Sequence, residues 1–546
     1  MNAIEKLCHA NELLTLQKGD VIRVPFLIKG ELRIPPTVET DRILTAFAES
    51  EEESGKSAGE ITNVLLGDAR VLREPVIDRK TMQYTGEWLY QVLPVFDPEE
   101  LIERDTDRLV EELYNLPFQE VLDYLDRITS SLASASEFLE GVQEILRRTA
   151  ATPDVYFDLG LAGLAFMLSP DRAREMVTNE LSNFGVEGSR FLDTWVKVTE
   201  DASPGVAQQL SPSEGRETSG DVEDPGLIQA RAMPTRQLHI TAGNAPVIPI
   251  VSTLRAISTK SAAVVKSPYG ATIPGALVSL AACATAPDHP ITRNLSIVYW
   301  PGGDESVEAS FFAPSAFDRI LIWGAPDAVA SVRSRAMFTK LVTLNPRFGI
   351  SWIGREAFEG DALQEVARRG AIDTMIWNQK ACIASLVHYV EGDEDQIAAY
   401  ARALQEELAA WDRIAPDLVS RAVQGRIRRM RRGKLIHAQW MTNRVGRDVS
   451  SAVVIVPGEF DLLDHPMSRM VAVRPVSSLE DVIPLLNQSV STVGVFPESR
   501  RLELCDRILA RGVSTVFPLG RCETMSGGMT HDGMKVLSEL VDWKNR

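Results

Sequence analysis

At 546 residues the chain is long enough for two or three domains with separate cores, and 45% hydrophobic and 24% charged residues are the proportions of an ordinary globular protein. A formal net charge of −18 argues against non-specific nucleic-acid binding and against an anionic membrane surface, since both call for basic residues. No uncharged apolar run reaches the roughly 18 residues of a membrane span, Met1–Asp20 lacks an apolar signal-type core, and the five cysteines are odd in number and scattered, so a reducing, cytoplasmic location is expected and no disulfide framework is.

In chain order, residues 1–104 read as short extended pieces such as Asp20–Lys29 and Gly86–Phe96. They are interrupted by Glu49–Glu60, whose charge and Ser/Gly content predict a solvated loop. From Pro98 to about Val198 the pattern is helical, with Leu101, Leu109, Leu113, Leu116, Val121 and Leu125 at roughly helical spacing. Residues 203–226, rich in Ser, Pro, Gly and acid, predict a surface connection. The character then changes. Strands are predicted at Leu238–Thr241, Ala262–Lys266, Leu295–Trp300 and Asp318–Trp323, with helices at Pro246–Ser258, Gly275–Thr285 and Glu305–Phe312 between them. Short apolar strands alternating with helices imply a parallel sheet covered on both faces, with ligands at its carboxyl ends. Neither a Gly-x-Gly-x-x-Gly fingerprint nor a phosphate loop accompanies these strands; the nearest match is the single Gly324 after the fourth.

Ile372–Gly392 is the stretch in which chemistry concentrates. Cys382 lies among Asn378, Gln379, Ala381, Ala384 and Ser385, before an alternating strand Ser385–Val390 and a helix through about Trp411. Small neighbours admit a carbonyl to the sulfur, and a thiolate is a strong nucleophile at neutral pH. A buried structural cysteine is the competing reading. Asn244, which opens a helix, reads equally as an N-cap, and Lys266 as a solvated strand end. No histidine or cysteine spacing suggests a metal site.

The ordered set Asn244 (in Gly243-Asn-Ala-Pro246), Lys266 (in Val-Val-Lys-Ser-Pro), Gly324 and Cys382 resembles the aldehyde dehydrogenase superfamily, and within it the LuxC branch of acyl-CoA reductases. Asp288-His-Pro-Ile-Thr292, Val298-Tyr-Trp300, Trp377-Asn-Gln-Lys-Ala-Cys382 and Ser491–Pro497 carry the closer likeness, which covers roughly residues 235–500. The resemblance implies an α/β, aldehyde-dehydrogenase-like fold. It has an N-terminal extended segment (1–104), a Rossmann-like cofactor domain (105–340), an α/β catalytic domain (341–465) and a C-terminal segment (466–546) that returns to the cofactor domain and an oligomer contact. It implies Cys382 as nucleophile and Asn244 as oxyanion donor, with Lys266, Ser267, Pro268 and Gly324 binding the cofactor.

Two departures sharpen that expectation. Superfamily members that make acids carry a glutamate base; the matching stretch here, Thr343–Gly349, has Asn345 and no glutamate, so an acyl-thioester should survive until a thiol or hydride meets it. No acidic residue follows Lys266 to repel a 2′-phosphate, which favours NADPH over NADH. The usual Glu-x-Phe-Gly-Pro contact is missing, and Asp464-His-Pro-Met is a poor match. The expected function is reduction of an acyl-CoA or acyl-carrier thioester to an aldehyde, by a homo-oligomer with an acyl-transferring partner protein in view. An NAD(P)-dependent aldehyde dehydrogenase and a non-catalytic subunit are the competitors. The basic run Arg426–Lys434 reads as a solvated helical face or a docking site for an acidic carrier or coenzyme A phosphate. His531, in the glycine-bearing loop Gly527–Gly533, reads as a surface turn by default and as an active-site lining residue by the alternative; His388 reads as a satisfied core histidine, and Cys283 and Cys505 as packing residues.

Overall fold

The computed structural model describes residues 1–546 apart from 58–59, 151, 200–227, 244, 418–419, 459, 461, 463–464 and 525–527. The predicted connection at 203–226 therefore lies outside the described residues, as do Asn244 and Asp464. Two seven-stranded sheets organise the rest.

In the first sheet, Arg236–Ile240, Ala262–Lys266 and Leu295–Val298 run parallel side by side, and Arg319–Trp323 and Lys340–Leu344 lie on the other side of Arg236–Ile240, also parallel. The strand order therefore reverses between Arg236–Ile240 and Arg319–Trp323, and a crevice opens there at the carboxyl ends. The four predicted strands are found within two residues at each end. The fifth, Lys340–Leu344, and the antiparallel pair Phe26–Ile28 and Glu31–Arg33 at the far edge are additions. All five residues of Ala262–Lys266 are buried, and the helix Thr272–Thr285 is buried on every side through Ala282, as befits elements that are apolar all round.

The second sheet runs Gln439–Val445, Asp448–Ile455, Met470–Val476, Ser385–Glu391, Phe348–Ile353, Val490–Phe496, Thr515–Pro518, with only the first strand antiparallel. Helices Ala362–Met375 and Glu394–Ile414 cover one face. The latter starts at an Asp393/Gln396 capping box, which satisfies otherwise unpaired N–H groups. Only residues 345–347 separate the end of Lys340–Leu344 from the start of Phe348–Ile353. The carboxyl end of the first sheet thus meets the amino end of the second.

The acidic stretch 49–60 is not wholly a loop. Residues 49–54 belong to the helix Thr40–Ser54. Ile43 and Phe47, four apart, form one face and pack with Tyr90, Val71 and Val92, so a short apolar face outweighs the charge run. After Thr515–Pro518 the chain returns to the first sheet. Helix Val536–Leu540 packs on Leu321, Val342 and Leu344, and strand Asp542–Asn545 pairs with Ile228–Met233.

Candidate active site

Cys382 is half-buried, three residues before the strand Ser385–Glu391. It leaves a turn in which Trp377, Asn378 and Gln379 all have positive φ, at 47°, 57° and 61°. Such conformations are costly for residues with a Cβ and persist where the surroundings enforce them. Here the enforcement is buried and polar. Arg469 donates to Asn378 Oδ1 at 2.7 Å, to Asp412 at 2.8 Å and to the Ala415 carbonyl, and Gln379 Nε2 donates to the Met470 carbonyl at 2.8 Å. Tyr156 donates its hydroxyl to the Met375 carbonyl and stacks near Trp411 and Trp377. Beyond the cysteine, Gly349 admits the chain closely: a Cβ there would lie 2.2 Å from the Ile383 carbonyl oxygen. The Ser491 hydroxyl donates to the Cys382 carbonyl at 2.5 Å.

Burial and the Asp532 carboxylate push the Cys382 thiol up to about 11, with Arg347 acting the other way. The group at rest is a thiol, so a nucleophilic role needs its proton removed when the reaction partner arrives.

The carboxyl end of the first sheet connects to this region through the crossing 345–347, whose Arg347 acts on the Cys382 thiol. Lys266, Ser267 and Pro268 are buried at the end of their strand. The Lys266 ammonium sits 5.3 Å from the Trp300 ring centroid and 5.7 Å from that of Tyr299, and burial draws it down to about 8. The Ser267 amide donates to the Val298 carbonyl at 2.8 Å. Gly324 follows Arg319–Trp323, and the helix Pro326–Arg335 begins at Ala325 without a side-chain cap, so its first N–H groups stay open to a ligand. Lys266 and Gly324 stand two strands apart, about 10 Å at normal strand spacing, across the crevice. A cation at one side, uncapped amides at the other and no acid after Lys266 fit a dinucleotide phosphate chain. A water-sized cavity of about 10 Å³ beside Lys29, Glu103 and Asn294 lies at the amino ends of these strands.

The C-terminal segment supplies His531, which the sequence offered as an alternative lining residue, and Asp532, which it did not single out. His531 is no surface turn: it is half-buried, its ring meets Trp323 edge-on at 5.1 Å, and Nδ1 lies 3.4 Å from Arg255. Burial and the two arginines Arg255 and Arg347 hold it neutral, down to about 3. Asp532 pairs with Arg347 at 3.4 Å. Arg347 lies in the very stretch searched for a glutamate, and Asp532 adjoins the flagged histidine; proximity in the chain was the available signal. His388 is a satisfied core histidine, bonded to Tyr400 at 2.8 Å and Thr374 at 3.1 Å. The basic run is the exposed face of helix Arg421–Arg432, which buries Gln424 and Ile427. Cys283 and Cys505 are half-buried on helices Thr272–Thr285 and Glu498–Leu509.

Residues 223–543 match the family described as Acyl-CoA reductase (LuxC). Similar curated proteins are the long-chain acyl-protein thioester reductases of Photorhabdus laumondii (26% identical, covering 56% of this chain and 63% of that one), Vibrio harveyi (24%; 58% and 65%) and Aliivibrio fischeri (27%; 56% and 62%). The match spans a little under two thirds of those relatives' length. Among solved structures, the NADP-dependent glyceraldehyde-3-phosphate dehydrogenase of Bacillus halodurans has a TM-score of 0.64 at 13% identity over 96% of this chain and 99% of that one. Lactaldehyde dehydrogenase of Escherichia coli has 0.64 at 13%, over 96% and 98%. The fold is that of the aldehyde dehydrogenases.

Proposed function

The chain belongs to the acyl-CoA reductase (LuxC) family, and we propose that it reduces an acyl thioester to the aldehyde with NADPH through an acyl-enzyme on Cys382. The substrate class carried over from the relatives is an acyl chain in thioester linkage to a protein or to coenzyme A. The observation that carries the reading is Cys382 leaving an enforced left-handed turn, with Arg347, from the crossing that follows Lys340–Leu344, acting on its thiol.

In this mechanism Cys382 loses its proton and attacks the thioester carbonyl carbon, with Asn244 and the Cys382 backbone N–H as oxyanion donors. Removing one such donor typically slows the step about 10²–10³-fold. The carrier thiol leaves with a proton, and the acyl group stays on the sulfur. Lys266, Ser267, Pro268 and Gly324 would hold a reduced nicotinamide dinucleotide, which would supply the hydride that takes the acyl carbon to the aldehyde level. Scission of the carbon–sulfur bond then frees the aldehyde and returns Cys382. Asn345, exposed in the crossing between the sheets, cannot serve as a base for water, which supports reduction over hydrolysis. The absence of an acid after Lys266 supports NADPH.

The test is intact mass after an acyl-CoA alone, followed by NADPH or NADH with a panel of acyl donors. An acyl adduct on wild type and none on Cys382→Ala is expected, with aldehyde released and a larger kcat/KM for NADPH. Acid formed from aldehyde plus NADP, with no adduct from the thioester, would overturn the direction of the reaction.

A further inference from the structure

A chain of contacts ties the cysteine backbone to an ion pair. The Ser491 hydroxyl is shared between the Cys382 carbonyl at 2.5 Å and the Phe348 carbonyl at 3.4 Å. The Ser491 carbonyl accepts the Ser514 N–H at 3.0 Å. The Ser514 hydroxyl accepts from Arg347 Nη1 at 2.9 Å. Arg347 Nε faces Asp532 Oδ1 at 3.4 Å. Arg347 is thus fixed on both sides, two residues before the glycine that lies against the Ile383 backbone. Its side chain and that of Asp532 are mostly shielded, at 14% and 7% exposure, so their charges act at close to full strength.

We propose that Arg347 and Asp532 form a charge-setting pair for Cys382. Arg347 is the cation against which the thiolate is held, and Asp532, carried by the C-terminal segment, positions that cation and offsets part of its charge. Resting on the reading of Cys382 as the nucleophile, this makes both positioning residues rather than catalytic ones. The charged groups that act on the thiol come from two elements: Arg347 from the crossing between the sheets and Asp532 from the C-terminal segment. His531 and Arg255 flank Asp532, and the histidine is neutral. Burial together with Asp532 outweighs Arg347 and keeps the thiol protonated at rest.

The experiment is alkylation of the full-length protein by iodoacetamide over a pH series, with no acyl donor or cofactor present, read as the mass of the Cys382 peptide. Asp532→Asn should move the midpoint down and Arg347→Gln should move it up, each by about one pH unit. Arg347→Lys, which keeps the cation, should restore most of the wild-type midpoint. A merely structural role would loosen the site and move both variants in the same direction. Shifts of the same sign, or none, overturn the proposal. If Arg347→Gln fails to fold, an unmoved midpoint in Asp532→Asn overturns it alone. Because the readout needs no reductase activity, an inert enzyme in the acyl assays leaves this result standing, and the reverse holds too.

Discussion

Asp373 lies fully buried on the helix that leads into the cysteine turn, and one loop converges on its carboxyl. Gly520 N–H donates at 2.8 Å, Cys522 N–H at 3.0 Å and the Cys522 thiol at 3.1 Å. Burial outweighs these donors and pushes the group from 3.8 to about 6. The unfolded chain gives up this proton near pH 3.8 and the folded chain keeps it to about 6. Between those values the folded state binds more protons, so this group's contribution to stability falls as pH rises. Asp373→Asn should remove that slope from melting curves recorded across the window. It should also lower stability by about 1–3 kcal/mol, because an amide cannot accept all three donors. Single residues such as Arg347, Asp532 and Asp373 are illegible in a sequence: charged side chains are common, and only folding decides which lose their water.

At the scale of elements, the turn Trp377–Gln379 holds three left-handed residues in a row, each costing roughly 1–3 kcal/mol. The cost is met by Arg469, wholly buried and bonded to the turn, to Asp412 and to the end of the helix Glu394–Ile414. Arg469→Met leaves Asp412 and Asn378 without that partner. The expected loss is about 3–5 kcal/mol in urea unfolding, together with slower acylation of Cys382 in a stopped-flow assay. The strand Ser385–Glu391 was readable from its alternation. The turn before it was not, because Trp and Gln carry no signature of positive φ, and the arginine that enforces it arrives some ninety positions later (Asn378 to Arg469).

Across the whole molecule, the site exists because the two sheets meet end to end over a crossing of three residues and the C-terminal segment is laid back across the join. Val536, Leu537, Leu540 and Val541 on that segment are fully buried, and each such side chain is worth about 1.5–3 kcal/mol. Leu537 N–H also satisfies the buried Glu180 at 2.6 Å. Deleting residues 535–546 therefore removes as much as a typical net stability. The truncated protein should lose its cooperative melt by circular dichroism, whereas deleting residues 544–546, which removes the outer half of the strand paired with Ile228–Met233 but none of those four side chains, should lower the midpoint and keep the melt cooperative.

By itself the sequence determined the periodic parts: the parallel strands at Ala262–Lys266 and its neighbours, the buried helices between them, and the order of Asn, Lys, Gly and Cys that points to a family. These follow from local hydrophobic spacing and short motifs, which survive being read in one dimension. Tertiary structure alone decided that Glu49–Ser54 is helix and that His531 is half-buried against Trp323. It alone decided that Arg347 pairs with Asp532 and that Arg469 holds the turn before Cys382. Each of these depends on desolvation and on partners brought from far along the chain, and such energies do not exist until the two sheets have met.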